Sequence, residues 1–143
     1  FCDMRKQGGL KTHLIPNILS WNSLLVSMKF GKYIRKQREA KKQKDRSFSV
    51  RQVAQRINVE PAYLSKIARG DFRPPSEDKI RALARELNED PDVLLALGGK
   101  VSSDLLEIIR QRHELFGDLI RELKKQPDHA VLRIAREVKD GDW

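Results

Sequence analysis

Residues Ser47–Gly70 read SFSVRQVAQRINVEPAYLSKIARG, and this stretch decides the fold. Ser49 is placed as a helix N-cap, and Gln52 three residues on completes a Ser-x-x-Gln capping box. Phe48, just before the cap, is positioned to pack on Val53 as a hydrophobic staple. Val50, Val53, Ala54 and Ile57 then recur at helical spacing. Asn58 tolerates a left-handed backbone better than most residues, which marks a chain reversal. Val59 follows, and Pro61 sits where proline opens a helix. Leu64 and Ile67 supply an apolar face. Arg69-Gly70 ends this second helix with a cation in the last turn and a glycine beyond it.

Two short helices joined by such a turn form a helix-turn-helix. A steep crossing needs a small residue at the contact, and Ala54 supplies it. Val53, Ile57, Val59, Leu64 and Ile67 are the residues expected to lock the pair to a core. The second helix is then free to offer its other face to a DNA major groove. The plain alternative is an ordinary helical hairpin with the same pattern.

The surrounding sequence extends the pattern in both directions. FGKYIRKQR precedes the motif, and RPPSEDKIRALARELN and DPDVLLAL follow it. In this order the segments resemble the Xre/Cro family of lambda-repressor-like DNA-binding domains, over about half of the chain. The resemblance implies an all-α, five-helix domain, and the apolar spacing beyond residue 100 adds a C-terminal helical extension. It also implies a transcriptional regulator of repressor type that binds double-stranded DNA.

The chain has 143 residues, enough for one domain, or for one small domain plus an appendage. Its apolar fraction of 39% suits a helical core, and no apolar run approaches the length of a membrane span. The formal net charge is +9, which suggests a polyanionic partner. From Lys29 to Arg46 there are nine Lys and Arg against two acids; from Arg51 to Arg73, five against two; from Ser76 to Gly99, three against six. The positive field is therefore expected on and before the motif. Cys2 is the one cysteine, so no internal disulfide forms; with a DNA-binding motif, this points to a reducing cytoplasm, at the bacterial nucleoid in use.

Residues 1–27 do not read like the rest. They show no sustained helical or strand period, and Pro16 interrupts a short apolar turn around Leu14, Ile15, Ile18, Leu19 and Trp21. The stretch lacks the flanks of a signal peptide. Met28 directly precedes the family-like start, so translation is expected to begin there, leaving 1–27 as non-native upstream sequence. The alternative is a flexible arm. Residues 28–99 are then the DNA-binding domain and 100–143 the extension. The first helix is expected over Phe30–Lys44, with Phe30, Tyr33 and Ile34 inward. Between Arg38 and Ser49 the chain is about five residues longer than the family's usual spacing. An elongated helix end with a solvated loop is favoured there over an added phosphate-contacting loop.

If the second helix enters the groove, its N-terminal residues reach bases first. Pro61, Ala62, Ser65 and Lys66 are the expected base contacts. Lys66 suits guanine O6 and N7, Ala62 suits a thymine methyl, and Ser65 is indifferent to base. Arg51, Arg69 and Arg73 are the expected phosphate cations. Ser49 opens a helix N-terminus toward phosphate. Tyr63 either reaches the DNA backbone through its hydroxyl or packs half-buried. The family commonly has a glutamate before the Arg-Gly end, paired with an arginine of the first helix. Here that position is Ala68, which leaves Arg38 to bind phosphate or to find another acid. The family also prefers Ser or Thr where Glu60 stands, and Glu is a weaker N-cap.

Ser76 is expected to cap a fourth helix, with Ile80, Leu83, Ala84 and Leu87 inward. Asp90-Pro91 opens a fifth, with Val93, Leu94 and Leu97 inward, closed by Gly98-Gly99. Beyond residue 100, Leu105, Leu106, Ile108 and Ile109 form one apolar group. Leu115, Phe116, Leu119, Ile120 and Leu123 form a second. Val131, Leu132, Ile134, Ala135 and Val138 form a third, after Pro127-Asp128. A homodimerisation module is the favoured reading, because helix-turn-helix proteins bind paired half-sites. Extra core packed on the domain is the alternative. An antitoxin that regulates its own operon and masks a toxin with these helices is a rival function, and a protein-interaction adaptor is another. His13, His113 and His129 are scattered, no Cys or His pair has metal spacing, and no phosphate-binding glycine loop occurs, so neither enzyme chemistry nor a cofactor or metal is expected.

Overall fold

The computed structural model describes residues 18–143, with side chains from residue 22 onward. The regular elements among these residues are all helices, with no strand. The chain divides into two compact units, one ending at Ser102 and one covering Ser103–Trp143.

The first unit holds five α-helices: α1 (Ile18–Lys44), α2 (Val50–Arg56), α3 (Pro61–Arg69), α4 (Glu77–Leu87) and α5 (Pro91–Leu97). With the α2–turn–α3 pair at its centre, it is the lambda-repressor-like fold expected from the sequence. Phe30, Ile34, Val53, Ala54, Ile57, Leu64, Ile67, Ile80, Leu83, Ala84, Leu87, Leu94 and Leu95 form its core. Val93 was expected inward but is 57% exposed. With Leu94 and Leu95 both inward, the 100° step per residue turns Val93 outward.

The first helix starts earlier than expected. It runs from Ile18 through Met28 without a break. The expectation for residues 1–17 lies outside the described residues. Leu24 and Leu25 are exposed, whereas Ser27 is buried and donates its hydroxyl to the Ser23 carbonyl oxygen (3.0 Å). The buried line is Ser27, Phe30, Gly31, Ile34 and Arg38. Its spacing is helical but its chemistry is only partly apolar. Gly31 lets α1 approach the end of α3: a Cβ there would overlap the Ile67 carbonyl oxygen and lie 3.0 Å from that of Ala68. Glycine's missing Cβ is what permits backbone to lie against backbone.

The long spacer is an elongated helix end followed by a 3-10 turn. α1 continues to Lys44, and Asp45 caps a 3-10 turn at Arg46–Phe48 by accepting the Ser47 amide (2.8 Å). Ser49 caps α2 by accepting the Gln52 amide at 3.3 Å. Only half of the capping box forms, because the Ser49 amide donates to the Arg46 carbonyl of the 3-10 turn (3.2 Å). Asn58 adopts φ 56°, and the Val59 amide returns to the Ala54 carbonyl (2.9 Å). Lys79 of α4 then donates to the carbonyls of Ile57 and Asn58 (both 3.0 Å), satisfying the exposed end of α2. Ser76 holds the N-cap position of α4 without a side-chain cap bond. Asp90 caps α5 through the Asp92 and Val93 amides. Tyr33 donates its hydroxyl to Glu89 Oε2 (2.9 Å), and that bond holds the phenol above its ordinary pKa.

The second unit consists of α6 (Ser103–Gln111), α7 (His113–Lys124) and α8 (Asp128–Asp140). All three are amphipathic, as their apolar groups foretold, yet none contains a buried residue. Leu115 is 61% exposed, Leu132 57% and Val138 62%.

Candidate nucleic-acid interface

The α3 helix stands on Leu64 and Ile67, both buried. Residues at i, i+3, i+4 and i+7 share a helix face, so Ala62, Ser65, Lys66 and Arg69 line up away from that core. Ala62, Lys66 and Arg69 are exposed and Ser65 is half-exposed. Pro61, half-buried, occupies the first turn, where its missing N–H costs nothing. Glu60 is the N-cap residue but makes no side-chain cap bond. Gly70 ends the helix at φ 80°, and the Asp71 amide returns to the Lys66 carbonyl (3.0 Å). Glycine is required here twice, since a Cβ would also press on Met28 Cα at 3.0 Å.

Cations flank this face on both sides. Arg51 on α2 and Arg73 after α3 are exposed and have no hydrogen-bond or ion-pair partner among the described residues. Arg51 borders a cleft shared with Asn58 and Pro61, at the N-terminal end of α3. Lys29, Lys32 and Arg35 of α1 line one open groove together with Arg69 of α3. The sequence reading had not nominated those three residues, although the charge count from Lys29 onward pointed at them. Arg69 is held by Asp71 (3.0 Å) and Arg35 by Glu39 (2.9 Å), both pairs being solvent-exposed. Exposed pairs of this kind are weak.

Arg38 is placed differently from the phosphate contact expected of it. It is 9% exposed, donates to the Phe48 carbonyl oxygen (3.1 Å) and lies 3.6 Å from Glu39. Burial pushes its pKa down, and the neighbouring Glu39 partly offsets this. With Ala68 in place of an acid, Arg38 meets another acid, Glu39, as well as a backbone carbonyl, and it ties α1 to the turn before α2. Its small cleft is bordered by Ala68, Ile34 and Leu64. Ser49 is half-buried, with its hydroxyl engaged in capping.

Tyr63 is half-buried and packs against the core. Its ring also meets Phe72, centroids 5.8 Å apart and planes at 54°. Phe72, which the sequence reading did not single out, is 41% exposed and lies under the Lys66 ammonium at 5.0 Å. The signal was present: a phenylalanine two residues past the glycine end of a helix, with no periodic partner. On the other side of the motif, Phe48 is flanked by Lys41 Nζ (5.5 Å) and the Arg56 guanidinium (5.3 Å). Arg56 also donates to the Ser47 carbonyl (2.8 Å) and pairs with Glu86.

Among the described residues no group of three His, Cys, Asp or Glu is placed to hold a metal ion, and no helix is long and apolar enough to cross a membrane. No curated protein and no solved structure matches the chain. Residues 34–94, from Ile34 in α1 to Leu94 in α5, match the family model described as helix-turn-helix, so this stretch is a helix-turn-helix domain.

Proposed function

We propose that this protein is a sequence-specific transcriptional regulator, a dimeric repressor that reads the major groove with α3. The observation that carries the reading is the exposed face of α3 bordered on both sides by unpaired or weakly paired cations. Lys66, Ala62, Ser65 and Pro61 contact base edges. Arg51, Arg69 and Arg73 neutralise phosphates, joined by Lys29, Lys32 and Arg35 along α1. Phosphate contacts fix register, whereas base contacts carry sequence. Tyr63 serves as the packed base of the face.

The second copy is argued from the C-terminal unit. A unit of forty-one residues with nothing buried is at the size where domains usually need oligomerisation, disulfides or metals. The unit carries eight Lys and Arg against nine acids, so its own charge does not oppose self-association. A different small protein covering the same faces would correspond to the antitoxin arrangement. Light scattering on the purified chain separates the two. Twice the chain mass of 16.6 kDa supports the homodimer, and a single mass favours the foreign partner.

The DNA reading is tested by duplex affinity as a function of salt. Affinity should fall steeply as salt rises, because neutralising phosphates releases counterions. Arg73→Ala should weaken all sequences alike and lower the salt slope by about one. Lys66→Ala should instead relax preference at one base pair, by about 1–3 kcal/mol. A uniform loss in both variants would overturn the proposed docking of α3.

A further inference from the structure

Lysine is a poor reader of bases unless something holds it. Its ammonium rides on a flexible four-carbon stem, and fixing that stem costs rotamer entropy. Lys66 has no acidic partner among the described residues; its ammonium lies instead over the Phe72 ring, 5.0 Å from the centroid. We propose that Phe72 is a positioning residue for Lys66, so that base discrimination at the pair Lys66 reads depends on an aromatic ring outside the recognition helix. This rests on the docking of α3 proposed above.

Three features place the ring. The left-handed turn at Gly70, closed by the Asp71-to-Lys66 backbone bond, folds the chain back beside the last turn of α3. Tyr63, one turn before Lys66 on the same helix, meets the Phe72 ring at a tilted angle, a favoured aromatic geometry. Tyr63 is itself packed on the core, so the ring is braced on one side and offers its face to the ammonium. Arg69, the other cation on this turn, is engaged by Asp71, which leaves the ring to Lys66. Phe72 stays 41% exposed and is absent from the core, so packing alone does not account for it.

The ring face attracts the cation through its quadrupole, and the attraction narrows the positions open to the ammonium before DNA arrives. Losing the ring should leave the charge in place but blur where it points. Overall affinity is then nearly unchanged, while the difference between the right and wrong base shrinks.

The test uses the full chain, a duplex selected from a random pool and its single base-pair variants, all at one salt concentration. Lys66→Ala should reduce discrimination at one base pair by about five- to 150-fold, the range of a good bidentate base contact. Phe72→Leu should reduce discrimination at that same pair by about two- to fivefold, as exposed cation–π contacts do. Phe72→Tyr should retain it. In the Lys66→Ala background, Phe72→Leu should change nothing further at that pair, an effect that a merely structural residue would not show. Thermal unfolding of Phe72→Leu checks that the fold persists. If Lys66→Ala relaxes discrimination and Phe72→Leu does not, or if Phe72→Leu weakens every duplex equally, the positioning role is overturned and the docking stands. If Lys66→Ala itself leaves discrimination intact, the docking falls and the positioning role with it.

Discussion

Single side chains do the joining in this domain where apolar packing does not reach. Lys79 closes the end of α2, Arg38 holds the Phe48 carbonyl, and Asp45 starts the turn that feeds Ser49. Asp45 yields a pH prediction. Bonds from the Ser47 amide and hydroxyl, with help from the charge of Arg56, hold its carboxyl below the usual carboxylate range. A depressed folded pKa means that the unfolded chain binds the proton more readily. The stability it adds is thus present above the unfolded value, near pH 4, and is lost as pH falls through the folded value. Urea unfolding should show Asp45→Asn less stable than the parent at pH 6, with the gap narrowing as pH falls below 4. A gap that stayed constant across that range would mean that the carboxylate charge is not what the cap uses.

Among the elements, α1 shows both what the sequence reveals and what it hides. The α2–turn–α3 pair was legible because its signals are local: a cap, an asparagine at φ 56°, a proline at the first helical position and a glycine at φ 80°. Apolar residues at helical spacing then located the buried faces of α3 and α4. The front of α1 gave no such signal, since its buried line runs through Ser27, Gly31 and Arg38 while Leu24 and Leu25 face outward. Hydrophobic periodicity is blind to a face built from small residues and a snorkelled cation. Phe72 was missed for a related reason: it lies in a loop, and its partners are set by a turn rather than by a period. Gly31 gives the corresponding prediction. In an isolated helix, glycine to alanine gains about 1 kcal/mol. Here the added methyl meets the Ile67 carbonyl, which is backbone and cannot swing aside. Overpacking costs about 1–3 kcal/mol and sometimes more, so Gly31→Ala should on balance destabilise and lower the thermal midpoint. A raised midpoint would show that α1 and α3 do not lie so close.

In the whole molecule, charge and apolar surface are segregated. Positive charge gathers on α1 and the helix-turn-helix, whereas the charge-balanced C-terminal unit holds most of the uncovered large apolar side chains among the described residues. One surface is suited to a polyanion and the other to a protein, here taken to be a second copy. A symmetric dimer presents two recognition helices, and half-sites on duplex DNA then recur about one helical turn, or a multiple of one, apart. Selection of bound duplexes from a random pool by the full chain shows whether α3 reads DNA sequence as part of such a pair. A palindromic motif is expected, with half-sites about 10 base pairs apart, or a multiple of that spacing. Leu119→Lys, which places a charge on the uncovered face of α7, should reduce the recovered motif to a single half-site. Recovery of no motif, with salt-sensitive binding intact, would contradict sequence reading by α3 and leave a basic protein that holds duplex DNA without reading it.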